Sequence, residues 1–148
     1  MSITNTVFQL TFPEGWKETT VHTFEGPYDS GVQHNLVLVV DPFIKKDTSL
    51  KDYAHAQIAG PKQNMPGFEM VNEQEKKMPD GTPAFEIVYK YIPAEGVILF
   101  QKQLYMRKEE KAFIFTATYS KKTLATIAPR IDSIIAGFRL FKPVETAG

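Results

Sequence analysis

The chain has no cysteine, no net charge and no long hydrophobic run, and each absence removes a class of function. Without cysteine there is no disulfide staple and no thiolate nucleophile or metal ligand. Lys plus Arg and Asp plus Glu both total 17, which argues against nucleic-acid binding, since phosphate recognition needs a basic excess or a dense basic patch. The nearest thing to a basic cluster in residues 83–119, Arg107-Lys108, is followed at once by Glu109-Glu110. The apolar stretches fall well short of the ~20 residues that span a bilayer. The N-terminal stretch MSITNTVFQLTFPEGW has neither the basic start nor the apolar core of a signal peptide. The expectation from these absences is a soluble, cytoplasmic protein without direct membrane insertion.

Catalytic signatures are also missing. There is no Gly-rich phosphate loop and no G-x-S-x-G elbow. The three histidines, His22, His34 and His55, stand far apart in no metal-ligand pattern and read as ordinary surface or interface residues. Acidic residues gather in turns and on polar helix faces, so no acid/base pair can be proposed. The chain is therefore read as a non-enzyme that needs no metal or cofactor.

What is present is a β-rich chain of 148 residues, 43% hydrophobic, enough for one domain with a proper core. Residues 83–119 read as three consecutive strands joined by turns at Pro93-Ala94-Glu95-Gly96 and Lys108-Glu109-Glu110-Lys111. Earlier strands are expected at 7–12, 19–24 and 35–40, and a polar edge strand at 69–77. Trp16 follows the Pro13-Glu14-Gly15 turn and is expected to plug the end of the core. Thr48 or Ser49 caps a first helix, which Gly60-Pro61 should break or kink because Pro lacks the N–H. Leu124, Ile127, Ala128, Ile131, Ile134 and Ile135 recur at helical spacing. Regular helix is expected from about Ala128, with Pro129 in its first turn, Gly137 as the C′ residue and a short closing strand at 138–141. The fold class is α+β: a single domain spanning 1–141, an antiparallel sheet of about seven strands and two helices on one face. Residues 142–148 read as a disordered tail.

The strands of the 83–119 stretch carry large apolar residues on both faces, whereas a sheet with one wet face alternates cleanly. Two helices cover one face, expected to hold Leu36, Leu38, Val40, Phe100, Leu104, Phe113 and Phe115. The other keeps Val21, Val37, Val39, Leu99 and Tyr105. A strand-long apolar patch marks an interaction surface: a homodimer core, or a groove for a ligand or partner. Gln101 and Gln103 share that face, and Asn35 begins its strand on the parity of Val37 and Val39. Buried amides need partners. They suit an apolar partner carrying backbone or hydroxyl groups, such as a membrane-type helix, or they bond one another. Lys102 falls among residues of the covered face, where it would have to snorkel.

The order and spacing of FPEGW (12–16), VHTF (21–24), SLKDYAHAQ (49–57), MPGFE (65–69) and FQKQLYMR (100–107) resemble the DcrB-related domain family, whose fold is PsbP-like. Within that family the chain is most similar to the Eag-type chaperones of type VI secretion effectors. The resemblance implies a cytoplasmic, homodimeric chaperone without catalytic activity. Such a chaperone would shield the N-terminal transmembrane helices of a cognate toxin before loading on the secretion spike. Carried over by motif, the apolar groove positions are Val21, Thr23, Val37 and Val39, and the polar ones Asn35, Gln57 and Gln103. With the parity set, the expected cargo groove comprises Val21, Thr23, Asn35, Val37, Val39, Gln57, Leu99, Gln101, Gln103 and Tyr105. The competing reading is a carrier for a small apolar ligand in the same groove.

Overall fold

The computed structural model describes residues 2–4, 9–16, 19–42, 44–108 and 110–140. The expected tail at 142–148 lies outside them, as do parts of the first and last expected strands. The described chain runs β1 (Ser2–Thr4), β2 (Gln9–Thr11), β3 (Thr20–Asp29), β4 (Val32–Asp41) and α1 (Leu50–Asn64). It continues through β5 (Glu69–Lys77), β6 (Pro83–Ala94), β7 (Val97–Lys108), β8 (Lys111–Tyr119), α2 (Lys121–Thr126) and α3 (Ala128–Ala136). Strands β3-β4-β8-β7-β6-β5 form one six-stranded antiparallel sheet, and β1 pairs with β2 separately. The α+β architecture expected from the sequence is thus observed, with six strands in the main sheet. Strand β5, rich in Glu and Lys, lies at one edge as its composition suggested.

The long β6-β7-β8 meander forms because its β-branched and aromatic runs are interrupted only where the backbone must reverse. Gly96 and Glu110 both take positive φ at those two reversals. The turn before β5 is closed by a glycine and a backbone bond from β6. Gly67 has φ +66, and a Cβ there would lie 2.8 Å from the Ile92 side chain, while the Ile92 N–H donates to the Pro66 carbonyl at 2.7 Å.

The helices divide between the two faces, which corrects the expectation that both lie on one. On the first, the α3 face, Leu36, Leu104, Met106, Phe113, Phe115 and Tyr119 pack against Ile127, Ile131 and Ile135 of the α2–α3 segment. On the second, the α1 face, Phe85, Ile87, Tyr89, Tyr105 and Ile114 pack against Tyr53, Ala54 and Ile58. The strand parities expected from the sequence hold on both sides. Parity says which residues share a face; it does not say on which side a connecting helix crosses. Helix α1 joins β4, near one sheet edge, to β5 at the other, and it crosses over β6 and β7 on the face that carries Tyr105.

Local details differ from the sequence reading for identifiable reasons. Helix α1 runs unbroken through Gly60-Pro61; only the bond from position 61 to the Gln57 carbonyl is lost. The helix then ends one turn later, with the Met65 N–H donating to the Pro61 carbonyl at 2.8 Å. The second helical region divides at Ile127, with Pro129 in the first turn of α3 as expected. Ser120 and Thr123 form a reciprocal capping box at α2. Gly137 has φ −85, so α3 does not end in a left-handed cap. Residues 138–140 are not strand; Phe138 instead packs on Phe113 and Phe115 with both ring centroids 5.3 Å away. Trp16 does not plug the core: it is 60% exposed and stacks on Phe12.

Candidate functional site

Nine of the ten expected groove residues lie on strands with one parity, and the sheet register brings them onto the α1 face. Cross-strand rows run Val21–Val39–Ile114–Tyr105–Phe85 and Thr23–Val37–Thr116–Gln103–Ile87. A third row, Thr118–Gln101–Tyr89, is parallel to them. Helix α1 shelters only the β6–β7 side of these rows. Tyr105 is fully buried beneath it, against Tyr53 with rings edge-on at 6.2 Å, so Tyr105 is core and not open surface. Toward β3 the cover ends: Val21 is 56% exposed, Thr23 is exposed, and Val37, Thr116, Gln101 and Gln103 are half-buried. Leu99, at the far end of β7 opposite Tyr91, is also half-buried. Asn35 stands beside the strand irregularity between Glu25 and Tyr28, where it also edges a cavity of the opposite face.

Gln57 is the one expected residue outside the sheet. Its helix is oriented by two bonds on opposite flanks. His55 Nε2 lies 2.6 Å from Glu73 of β5, and the Tyr53 hydroxyl donates to Asp41 of β4 at 2.7 Å. Gln57 lies one turn beyond Tyr53 and so shares the flank turned toward β4 and the open rows. It is exposed, and the helix lacks a position-61 N–H for its backbone carbonyl.

The amides are partly engaged by neighbours that sequence reasoning did not name. Gln101 accepts from the Tyr89 hydroxyl and donates to Thr118 Oγ1 at 3.4 Å; Gln103 accepts from the Tyr105 hydroxyl and donates to Thr116 Oγ1 at 3.4 Å. The donated bonds are long, and each amide retains a second N–H and a second carbonyl lone pair. Burial, with a smaller effect from Tyr91, pushes the Tyr89 phenol up to about 12. The Tyr105 phenol is raised as well, by burial first and then by Tyr89 and Tyr53. Both phenols therefore stay protonated and donating at physiological pH. Alternation in β8 (Phe-Thr-Ala-Thr-Tyr) was the available signal for Thr116 and Thr118, but pairing them with particular glutamines needs the register.

The α3 face carries what the sequence reading missed. Lys102 does not snorkel: its ammonium lies 2.9 Å from Asp132 and 3.5 Å from Glu86, and Glu86 also meets Lys76 at 2.6 Å and Gln74 at 3.1 Å. Burial alone would raise the Glu86 carboxyl. The bonds from Lys76 and Gln74 and the charges of Lys102 and Lys76 outweigh it and hold the group below its usual range. His34 is not a surface residue as expected: it is 1% exposed, beside Tyr119 at 6.0 Å between rings. Its Nδ1 lies 3.0 Å from the Pro27 carbonyl, which can only accept, so Nδ1 carries a proton; Nε2 is buried without a hydrogen-bond partner among the described residues. Between β3, β4 and α3 there is an apolar cavity of about 680 Å³. Among the described residues no group of three or more His, Asp or Glu could hold a metal ion. No helix among them is long and apolar enough to cross a membrane.

Residues 8–137 match the family model of DcrB. The chain belongs to the DcrB family. The search of curated proteins found no match. Among solved structures, a protein of unknown function from Pseudomonas aeruginosa, PA94, superposes with a TM-score of 0.70 at 18% identity, covering 96% of this chain and 97% of that one. The cyanobacterial PsbP of Synechocystis sp. PCC 6803 superposes with a TM-score of 0.58 at 15% identity, covering 95% of this chain and 92% of that one. The DcrB family member described here therefore has a PsbP-like fold.

Proposed function

We propose that this DcrB family protein is a binding protein whose ligand is the hydrophobic N-terminal segment of a secreted effector. In this reading it acts as a cytoplasmic, homodimeric chaperone that keeps effector transmembrane helices from aggregating before they are loaded on a type VI secretion spike. The observation that carries the reading is the pair of hydrogen-bonded chains, Tyr89–Gln101–Thr118 and Tyr105–Gln103–Thr116, on an apolar face that α1 covers only in part. A greasy wall hides a hydrocarbon helix from water, but helix recognition in membranes also relies on close packing and on Ser, Thr, Asn and Gln hydrogen bonds. The open half of this face offers both: small and β-branched side chains at Val21, Thr23 and Val37, and spare amide and hydroxyl capacity at Gln101, Gln103, Thr116 and Thr118. The sequence resemblance to Eag-type chaperones points the same way.

The test is co-expression with candidate effector N-terminal segments rich in apolar helix. The segment is expected to stay in solution as a monodisperse complex only when this protein is present. A segment that remains soluble and monodisperse alone sinks the proposal. Native mass spectrometry of the purified protein, before and after the segment is bound, separates this reading from a lipid carrier that uses the same α1-face groove, since only lipid in that groove is displaced.

A further inference from the structure

The cavity on the α3 face lies across the sheet from the proposed helix-binding surface, with only Asn35 at the edge of both, and its shape and rim describe a second kind of ligand. Its volume, about 680 Å³, lies within the range of about 300–1,000 Å³ usual for small-molecule sites. It forms because α3 packs on β8, is tied to β7 through Asp132 and Lys102, and stops short of β3, leaving the outer strand unroofed. Two large apolar side chains border this gap from opposite sides, Phe24 on β3 at 57% exposure and Ile134 on α3 at 63%. Leu38, Ile127 and Ile131 line it further. Isolated exposed apolar residues are ordinary; here they converge on one cleft, which is the pattern of a binding site.

The charged groups of the rim choose the head group. Arg130, in the first turn of α3, borders the cavity, is exposed, and makes no ion pair or side-chain hydrogen bond among the described residues. Glu25 borders it from β3, so an anion is favoured at the α3 side alone. We propose that this groove binds a single-chain amphiphile with an anionic head, a free fatty carboxylate. Its tail lies between Phe24 and Ile134, and its head meets the Arg130 guanidinium. A headless chain of equal length gains the same apolar burial without that ion pair, and a cationic one must turn its head from Arg130 toward Glu25.

The experiment follows Ile, Leu and Val methyl resonances of the intact protein while sodium dodecanoate, dodecanol or dodecyltrimethylammonium is added below its micelle-forming concentration. Dodecanoate is expected to give saturable shifts at Leu38, Ile127, Ile131 and Ile134, leaving Val37 and Val39 unmoved. Arg130→Gln should weaken dodecanoate roughly fivefold, the upper size of an exposed ion pair, and leave dodecanol unchanged. Ile134→Asp should abolish binding, and Phe24→Ser provides a second variant if that one fails to keep the unliganded spectrum. The proposal is overturned by the absence of saturable shifts, by a dodecanoate affinity unchanged in Arg130→Gln, or by shifts at Val37 and Val39. It is equally overturned if the protein binds anionic lipid vesicles and no monomeric chain.

Discussion

The side-chain amide of Gln103 donates to the hydroxyl of Thr116, its direct cross-strand neighbour, at 3.4 Å. The bond ties β7 to β8 on the open face, yet it is long enough to be exchanged for a better one when a partner arrives. Replacing Gln103 by Ala removes the amide and leaves the Tyr105 hydroxyl without its acceptor. The variant should fold with about 1 kcal/mol lost and bind effector segments about tenfold more weakly. Val37→Asp places a charge in the same row and should cost more. Co-purification and chemical denaturation of both variants check the pair; undiminished binding in both moves the binding surface away from the α1 face.

The buried Glu86–Lys102 pair should make the fold sensitive to acid. The Glu86 carboxyl is held below its ordinary range when folded. Its stabilising contribution is therefore complete above the ordinary carboxylate pKa, about 4.3, and is lost as pH falls through the lower folded value. Glu86→Gln should destabilise by roughly 2–3 kcal/mol at neutral pH, since Lys76 and Lys102 each lose a charged partner. The difference from wild type should shrink toward acid. Thermal melts of both proteins from neutral pH down to about pH 3, across the range where carboxylates titrate, show this; a gap that stays constant with pH contradicts it.

Pro61 sits inside α1, where it removes a backbone donor for the Gln57 carbonyl. Pro61→Ala restores that donor at the cost of a freer unfolded chain. Because Pro is a poor helix-interior residue, the net effect should be a gain of about 1 kcal/mol. Urea denaturation measures it, and a loss of stability would show that the ring's packing outweighs the missing bond.

Gly67 combines a left-handed backbone with the 2.8 Å approach to Ile92. Gly67→Ala should cost about 2 kcal/mol, from strain at positive φ and from displacement of Ile92. Circular dichroism melts provide the check. Gly81→Ala serves as a control, because it has a similar φ with nothing near the added methyl; it should cost less.

The sequence alone determined the meander, the edge position of β5 and the parity of nearly every strand residue, because period-2 alternation and turn chemistry are local properties. Parity also held a clue that went unused: His34 shares a face with Leu36, Leu38 and Val40, and so belongs to the covered side. Only the tertiary structure decided which helix lies on which face, because a connection from β4 to β5 can cross the sheet on either side without changing a single strand pattern. That choice buried Tyr105 under α1 and left the Gln103–Thr116 row open. It also gave Lys102 its partners Glu86 and Asp132, residues 16 and 30 positions away that no local pattern joins. The groove beside α3 has the same origin, since it exists where a helix ends short of an outer strand.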